Sequence, residues 1–516
     1  MDLNSGSSGS ASWTYDARGR MASESKTITG GGTYLTQWTY NSADLPVTMT
    51  YPDNEVLNYN YLPQGLVYQL KDSGTYVYAA MTYDAAGRVL TRGFDNGAKT
   101  QTFTYNPWDT QSGKLASILS TGLESLAYTY DPNGNVATIT DGLNASQKQC
   151  FTYDALDRLT LGTTYADAAQ GCTTALGAGN YNTAFGYDAA AGNLTSKAGY
   201  TLTYTDPAHK HAVTSFNTSS YAYDADGNMI SYGWNGSTYA LGYDAENRLT
   251  SASKPGTSYA FTYDGDGRRT KAAPPTPAAA TYFVGRYYEV TGSAVTKYYY
   301  AGSERLAMKQ GTELYFFFTD HLGSTVNVYQ KSTQANNLMR YYNWGADRGT
   351  STAALPTRYT FTGQYSYTPD FGLLYYNARW YSPDTGRFTT PDTIIPQPYD
   401  PPSYDRYMYV RNSPNNYIDP IGHKACSPSL DGGCDIFEEE VLKLIEKIVD
   451  AIKLTSKDDD DDGFPETPDI NAPPVSIGTT PGCSQGTCVE CFYSRDRRYV
   501  KGCVKFQKPQ QPEQVP

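Results

Sequence analysis

Residues 128–140 read YTYDPNGNVATIT, and this stretch decides the fold class. Tyr128 and Tyr130 alternate as strand residues do, Asp131 can bond the backbone of a turn, and Gly134 supplies a positive φ. Alternation then resumes at Asn135-Val136-Ala137-Thr138, so the unit is a β-hairpin. The same text recurs as WTYDARGRM around Tyr15, MTYDAAGRV around Tyr83, FTYDALDRL around Tyr153 and FGYDAAAGNL around Tyr187. It returns as YAYDADGNM around Tyr223, LGYDAENRL around Tyr243 and FTYDGDGRR around Tyr263. The spacing is about 20 to 36 residues, and degenerate copies at Tyr40, Tyr61 and Tyr105 keep the rhythm. A period of this size marks an array in which each unit buries its face on its neighbours. The recurring aspartates, such as Asp84, Asp131 and Asp154, read as turn caps in preference to calcium or sugar ligands.

Composition agrees with an all-β body. There are 49 Tyr against 17 Phe and 6 Trp, with 47 Gly and 18% charged residues, and Tyr packs on a pleated surface while its hydroxyl is expected to stay wet. A length of 516 residues leaves room for two to four ordinary domains. The net charge of −12 opposes a nucleic-acid-binding role for the body, because phosphate contacts need clustered Lys and Arg. Neither a signal peptide nor a run of about eighteen apolar residues is present in the chain.

Three regions follow. Residues 1–280 carry the repeats, which are expected to form a spiralling sheet. From Thr281 the period is expected to give way to longer strands, TYFVGRYYEV, KYYYAG and LYFFFTDHLGSTVNVYQ among them, through residue 423. Residues 424–516 change character. One amphipathic helix is expected over 435–454, with Ile436, Phe437, Val441, Leu444, Ile445, Ile448, Val449 and Ile452 at helical spacing. An acidic, Pro-rich linker over 456–481 and a mostly irregular Cys-rich piece over 482–505 complete the tail.

The motifs DHLGSTVNV (Asp320 to Val328), RYTFTGQY (Arg358 to Tyr365), GLLYYNARWYSPDTGRFTTPD (Gly372 to Asp392) and RYMYVRNSPNNYIDPIGH (Arg406 to His423) follow the tandem units. With them the chain resembles RHS/YD-repeat proteins that end in an RHS-associated core. That family includes bacterial polymorphic toxins, insecticidal toxin-complex C subunits and teneurin shells. The resemblance spans nearly all of residues 13 to 423. It implies a β-sheet cocoon whose core cuts itself, by an aspartyl mechanism, from a variable C-terminal toxin held inside. It also implies no cofactor, the chain's own C-terminal segment as cargo, and an immunity protein or an upstream shell or delivery component as further partners. The chain opens in mid-repeat at Ser12-Trp13-Thr14-Tyr15, and on this resemblance an export signal and most of the wall are expected upstream, with secretion or surface display of the whole.

The resemblance carries roles onto particular residues. An aspartyl protease needs two carboxylates close enough that one keeps its proton and acts as acid while the other activates water. In the family an Arg lies thirteen residues before the first Asp, and the second Asp belongs to a Pro-x4-Asp-Pro-x-Gly element. Arg379 and Asp392 keep that separation, and Pro414, Asp419, Pro420 and Gly422 supply the element. Asp392 and Asp419 are thus the expected dyad, Arg379 the positioning cation and His423–Lys424 the scissile bond. Two departures stand out: Ile394 to Tyr404 is longer than in toxin-complex members, and His423 replaces the expected Leu. The alternative is that both aspartates only cap Pro-containing turns.

Other constellations read as structural. His321 in TDHLGST is expected to hold a turn, and His209 and His211 lack a nearby third metal ligand. Asp458, Asp460, Asp462, Gly463 and Asp469 open like a calcium loop, but Pro465 and Pro468 interrupt it and favour a solvated linker. Cys483, Cys488, Cys491 and Cys503 could hold zinc, although their irregular spacing favours disulfides with Cys426 and Cys434. Two other functions compete with the self-cutting shell: a non-catalytic surface protein binding carbohydrate through its tyrosines, and a displaced cassette without independent function.

Overall fold

The computed structural model describes residues 8–143, 147–165, 172, 181–348, 355–395 and 400–428, together with the backbone of strands at 3–5, 482–484, 487–493 and 500–507. The chain divides into two compact units, Met1–Lys443 and Leu444–Pro516.

In the first unit, 32 strands join one sheet, each antiparallel to the strand before and after it in sequence. The hairpin read from YTYDPNGNV is present as Glu124–Tyr130 and Val136–Asp141. Its turn follows from the residue types. Asp131 Oδ1 accepts the Asn135 amide at 2.8 Å, the Gly134 amide donates to the Asp131 carbonyl at 2.9 Å, and Gly134 sits at φ 89°. The Arg or Asn four residues after the turn aspartate recurs for a reason that the spacing did not disclose: in several repeats its side chain returns to the other carboxylate oxygen. Arg88 Nε donates to Asp84 Oδ2 at 2.6 Å, Arg248 Nε to Asp244 Oδ2 at 2.8 Å, and Asn228 Nδ2 to Asp224 Oδ2 at 3.0 Å. The aspartates are therefore turn caps. Replacing Gly134 by Val is expected to lower stability by about 1–3 kcal/mol, because a β-branched side chain resists positive φ and its Cβ would lie 2.6 Å from Lys114 Nζ. An unchanged denaturant midpoint would contradict the assignment.

The hydroxyls of the tyrosines that precede the turns are engaged by backbone carbonyls, which corrects the compositional expectation for these positions. From Tyr40 onward the Tyr that precedes a turn reaches back to the previous repeat and donates to the carbonyl of a residue that opens or adjoins its returning strand. Tyr40 bonds Met21 O, Tyr105 bonds Val89 O, Tyr130 bonds Leu115 O, Tyr153 bonds Val136 O and Tyr263 bonds Leu249 O, at 2.7 to 2.9 Å. The turn arginine then lies over the same ring, as Arg88 does over Tyr105 at 4.1 Å and Arg158 over Tyr187 at 4.3 Å. A repeat thus contributes one Asp, one Arg and one Tyr to a chain of contacts running along the array. Phe could fill the same space but would leave a carbonyl without its partner.

The period also does not give way at Thr281. TYFVGRYYEV is a hairpin, Thr281–Val284 and Tyr288–Thr291, because Gly285 at φ 57° reverses the chain. DHLGS is one more capped turn, with Asp320 Oδ1 accepting Leu322 N and Ser324 N at 2.9 and 2.8 Å. Tyr300 and Tyr341 continue the hydroxyl contacts, to Arg286 O and Thr325 O.

The sheet curls back on itself. Lys26 pairs with Asp264 at 2.7 Å, Lys297 with Asp53 at 2.6 Å, and Tyr51 OH donates to Tyr298 O at 2.8 Å. Strands from 21–94 and 281–330 consequently share one apolar cluster. A four-stranded sheet, Tyr365–Tyr367, Leu373–Tyr376, Arg379–Ser382 and Arg387–Phe388, packs in one apolar cluster with the middle repeats. Its Trp380 and the neighbouring Phe371 pack on Phe261 with ring centroids 4.7 and 6.1 Å away. A disulfide links Cys150 to Cys172. No helix among the described residues is long and apolar enough to cross a membrane.

In the second unit the Cys-rich piece, expected to be irregular, runs as three antiparallel strands, Gly482–Ser484, Thr487–Tyr493 and Val500–Gln507. The side chains of Cys483, Cys488, Cys491 and Cys503 lie outside the described residues, as do the expected helix over 435–454, the linker and its calcium-like aspartates, and Cys434.

Candidate functional site

The motifs that close the first unit converge on Arg379, which opens the strand Arg379–Ser382 behind the turn at Asn377 (φ 60°). Its side chain is buried and points away from solvent, with the guanidinium 3.7 Å from the centroid of the Phe388 ring. A buried cation needs acceptors on every N–H. Nη2 lies 2.8 Å from Asp392 Oδ2 and 3.5 Å from Asp419 Oδ2, Nη1 donates to Arg406 O at 2.8 Å, and Nε donates to Gly422 O. Both candidate carboxylates therefore share one nitrogen, and they are 4% and 3% exposed.

Asp419 does two things. Its Oδ2 faces Arg379, while its Oδ1 accepts the amides of Gly422, His423 and Lys424 at 2.8, 3.0 and 3.1 Å. The third of these is the nitrogen of the expected scissile bond. The loop is fixed at its base, where Ile418 and Cys426 exchange two backbone bonds of 2.9 and 2.8 Å. Gly422 is required at φ 87°, since a Cβ there would lie 2.4 Å from Tyr376 O. Burial raises the Asp419 carboxyl above the usual range, and the nearby Asp392 adds to this, against Arg379 and the amides, which lower it.

Asp392 Oδ1 accepts from His423 Nδ1 at 2.7 Å and from Ile394 N at 3.1 Å. Both aspartates thus cap turns and also meet at one cation. The longer stretch after Ile394 does not separate them. Asp392 N donates to Arg406 O at 2.8 Å and Arg406 Nε returns to Asp392 O, which ties the two ends of the stretch together, and Ile394 and Tyr404 are exposed.

Several residues of the site were not singled out in the sequence. Gln364 Nε2 and Asn377 Nδ2 donate to Pro420 O at 3.1 and 3.0 Å. Asn416 Oδ1 accepts Val136 N at 2.7 Å, and its Nδ2 reaches Asn135 Oδ1 at 3.2 Å, so the PNNY segment beginning at Pro414 is moored to a repeat turn. His321 is structural: Nε2 bonds Asn415 O at 2.9 Å, the ring packs on Tyr128, and burial lowers its pKa. His209 binds Asp206, and His211 binds Asn193. Among the described residues no cluster of side chains could hold a metal ion.

Comparison with known proteins agrees with this architecture. Residues 62–182 and 161–415, together more than half of the chain, match the Teneurin YD-shell family. The chain is 27% identical over 382 residues to Double-stranded DNA deaminase toxin A of Burkholderia cenocepacia, covering 71% of this chain and 22% of that protein. It is 29% identical over 133 residues to tRNA3(Ser)-specific nuclease WapA of Bacillus spizizenii, covering 25% of this chain and 6% of that one. The chain therefore spans less than a quarter of the length of these relatives. The TcdB2–TccC3 complex superposes with a TM-score of 0.65 at 19% identity, covering 81% of this chain and 24% of that chain. The Tc holotoxin pore of Photorhabdus luminescens gives 0.64 at 19%, over 82% and 24%.

Proposed function

The chain belongs to the Teneurin YD-shell family, and from that premise we propose that it is part of a shell that cuts the His423–Lys424 bond and so frees the segment that follows, a toxin. The observation that carries this reading is the position of Asp419, bonded to the scissile nitrogen through one oxygen and facing, through the other, the cation shared with Asp392.

The chemistry is a hydrolysis in which both carboxyl groups have a role. Water attacks the His423 carbonyl carbon and gives a proton to Asp392, and the C–N bond then breaks as Asp419 passes its proton to the Lys424 nitrogen. The products are a carboxyl group on His423 and an amine on Lys424. Burial favours the protonated form of Asp419 that this assignment needs. Arg379 holds Asp392 in place beside Asp419 through one shared nitrogen. The substrate strand is part of the same chain, so no binding step is required.

Cargo within the shell, a delivery partner and an immunity protein belong to the same proposal, as does action outside the producing cell. The Cys150–Cys172 bond suits an oxidising compartment. Residues 424–516 contain no histidine, and the reading for them stops at a toxin. A carbohydrate-binding role through the tyrosines is disfavoured, because the hydroxyls of the repeat motif are engaged by backbone carbonyls.

Purified chain followed on a denaturing gel should convert to two fragments with a first-order rate that does not change on tenfold dilution. A rate that falls with dilution would point to cutting between molecules and would overturn the intramolecular mechanism.

A further inference from the structure

The residue on the acyl side of the expected scissile bond is itself bonded to a catalytic carboxylate. His423 Nδ1 lies 2.7 Å from Asp392 Oδ1, its side chain is 12% exposed, and the same oxygen also accepts Ile394 N. With Arg379 Nη2 on Oδ2 at 2.8 Å, three donors occupy a carboxylate that has about four acceptor positions. A base that is to take a proton from water needs a free lone pair, and each donor bonded to the ionised form lowers its basicity.

From this geometry, and resting on the self-cutting reading above, we propose that His423 is a latch on Asp392: the imidazole covers the base, and the identity of residue 423 sets the rate of cleavage. The charged groups packed around the pair are Asp392 and Arg406 from the segment flanking the extra loop, Arg379 from its strand, and Asp419 and Lys424 from the loop that holds His423.

His423→Leu removes the donor and leaves the backbone bonds of residue 423 to Asp419 intact. It should cut about tenfold faster or more than the parent, which corresponds to the loss of one hydrogen bond to a charged acceptor. His423→Asn places an amide N–H near the position of Nδ1 and should cut close to the parent rate. Thermal melting of each uncut variant checks that the shell is folded. A His423→Leu chain that cuts at the parent rate or more slowly, or a His423→Asn chain that cuts as fast as His423→Leu, overturns the latch and leaves the self-cutting reading in place. If neither chain cuts, the self-cutting reading fails, and the latch with it.

Discussion

Asp392→Asn and Asp419→Asn should each leave the chain uncut while the shell remains folded. An amide keeps the size and most of the contacts of a carboxylate. At position 419 its oxygen can still accept the amides of Gly422, His423 and Lys424, which bond Oδ1 at 2.8 to 3.1 Å, so the loop keeps its shape. What it lacks is a proton it can give to the Lys424 nitrogen. At position 392 the amide oxygen can still face Arg379, now 2.8 Å from Oδ2, but it cannot take a proton from water. Loss of a general acid or base costs about a hundredfold to ten-thousandfold in rate, which on a gel over hours reads as loss of cleavage. Arg379→Ala acts in the same direction with a second effect, because removing the cation leaves two buried carboxyl groups without their shared partner. The observation to make is the fraction cut over time, with thermal melting as the check on folding. Equal cutting in both Asn variants would return the two aspartates to the role of turn caps alone.

The second large effect concerns stability. Glu124 is 1% exposed, and its one hydrogen-bond partner is Gln101 Nε2, 2.6 Å from Oε2, while Oε1 has none. Burial pushes its pKa from 4.5 to about 8. The native chain therefore holds a proton that the unfolded chain releases between these values. Stability is unaffected by this group below about pH 4.5, falls as the pH rises toward about 8, and levels above it. The total is about 3–5 kcal/mol. Glu124→Gln cannot ionise and resembles the protonated acid, so it should match the parent near pH 4.5 and exceed it by about that amount at pH 8. Denaturant midpoints at several pH values in the Asp392→Asn background would check this without interference from cutting. Parallel pH profiles for the two chains would contradict the assignment.

The extent to which the sequence disclosed this structure depended on the range of the interactions. The Asp-x-x-Gly turn is local, so Asp131 and Gly134 identified each hairpin from a handful of residues. Tyr130 and Arg88 take their partners from the adjoining repeat, some 15 to 25 residues away, and composition alone assigned the hydroxyls to water. Hairpins after Thr281 were harder to see because Gly285 and the DHLGS turn reverse the chain without the Tyr-Asp text. At the site, the spacing of Arg379 to Asp392 and the element from Pro414 to Gly422 named the charged residues through their resemblance to a family. Gln364, Asn377 and Arg406 were not legible, since they act through backbone carbonyls of distant segments. The contact between His423 and Asp392 spans 31 positions in the chain and arises from a departure from the family pattern, which no spacing rule could supply.

The most direct test of the account is the intact mass of the products formed by the unaltered chain. Two species are expected, one ending at His423 and one beginning at Lys424 with a free amine, their masses summing to that of the chain plus one water. A chain that stays whole, or fragments that begin at any other residue, would contradict it.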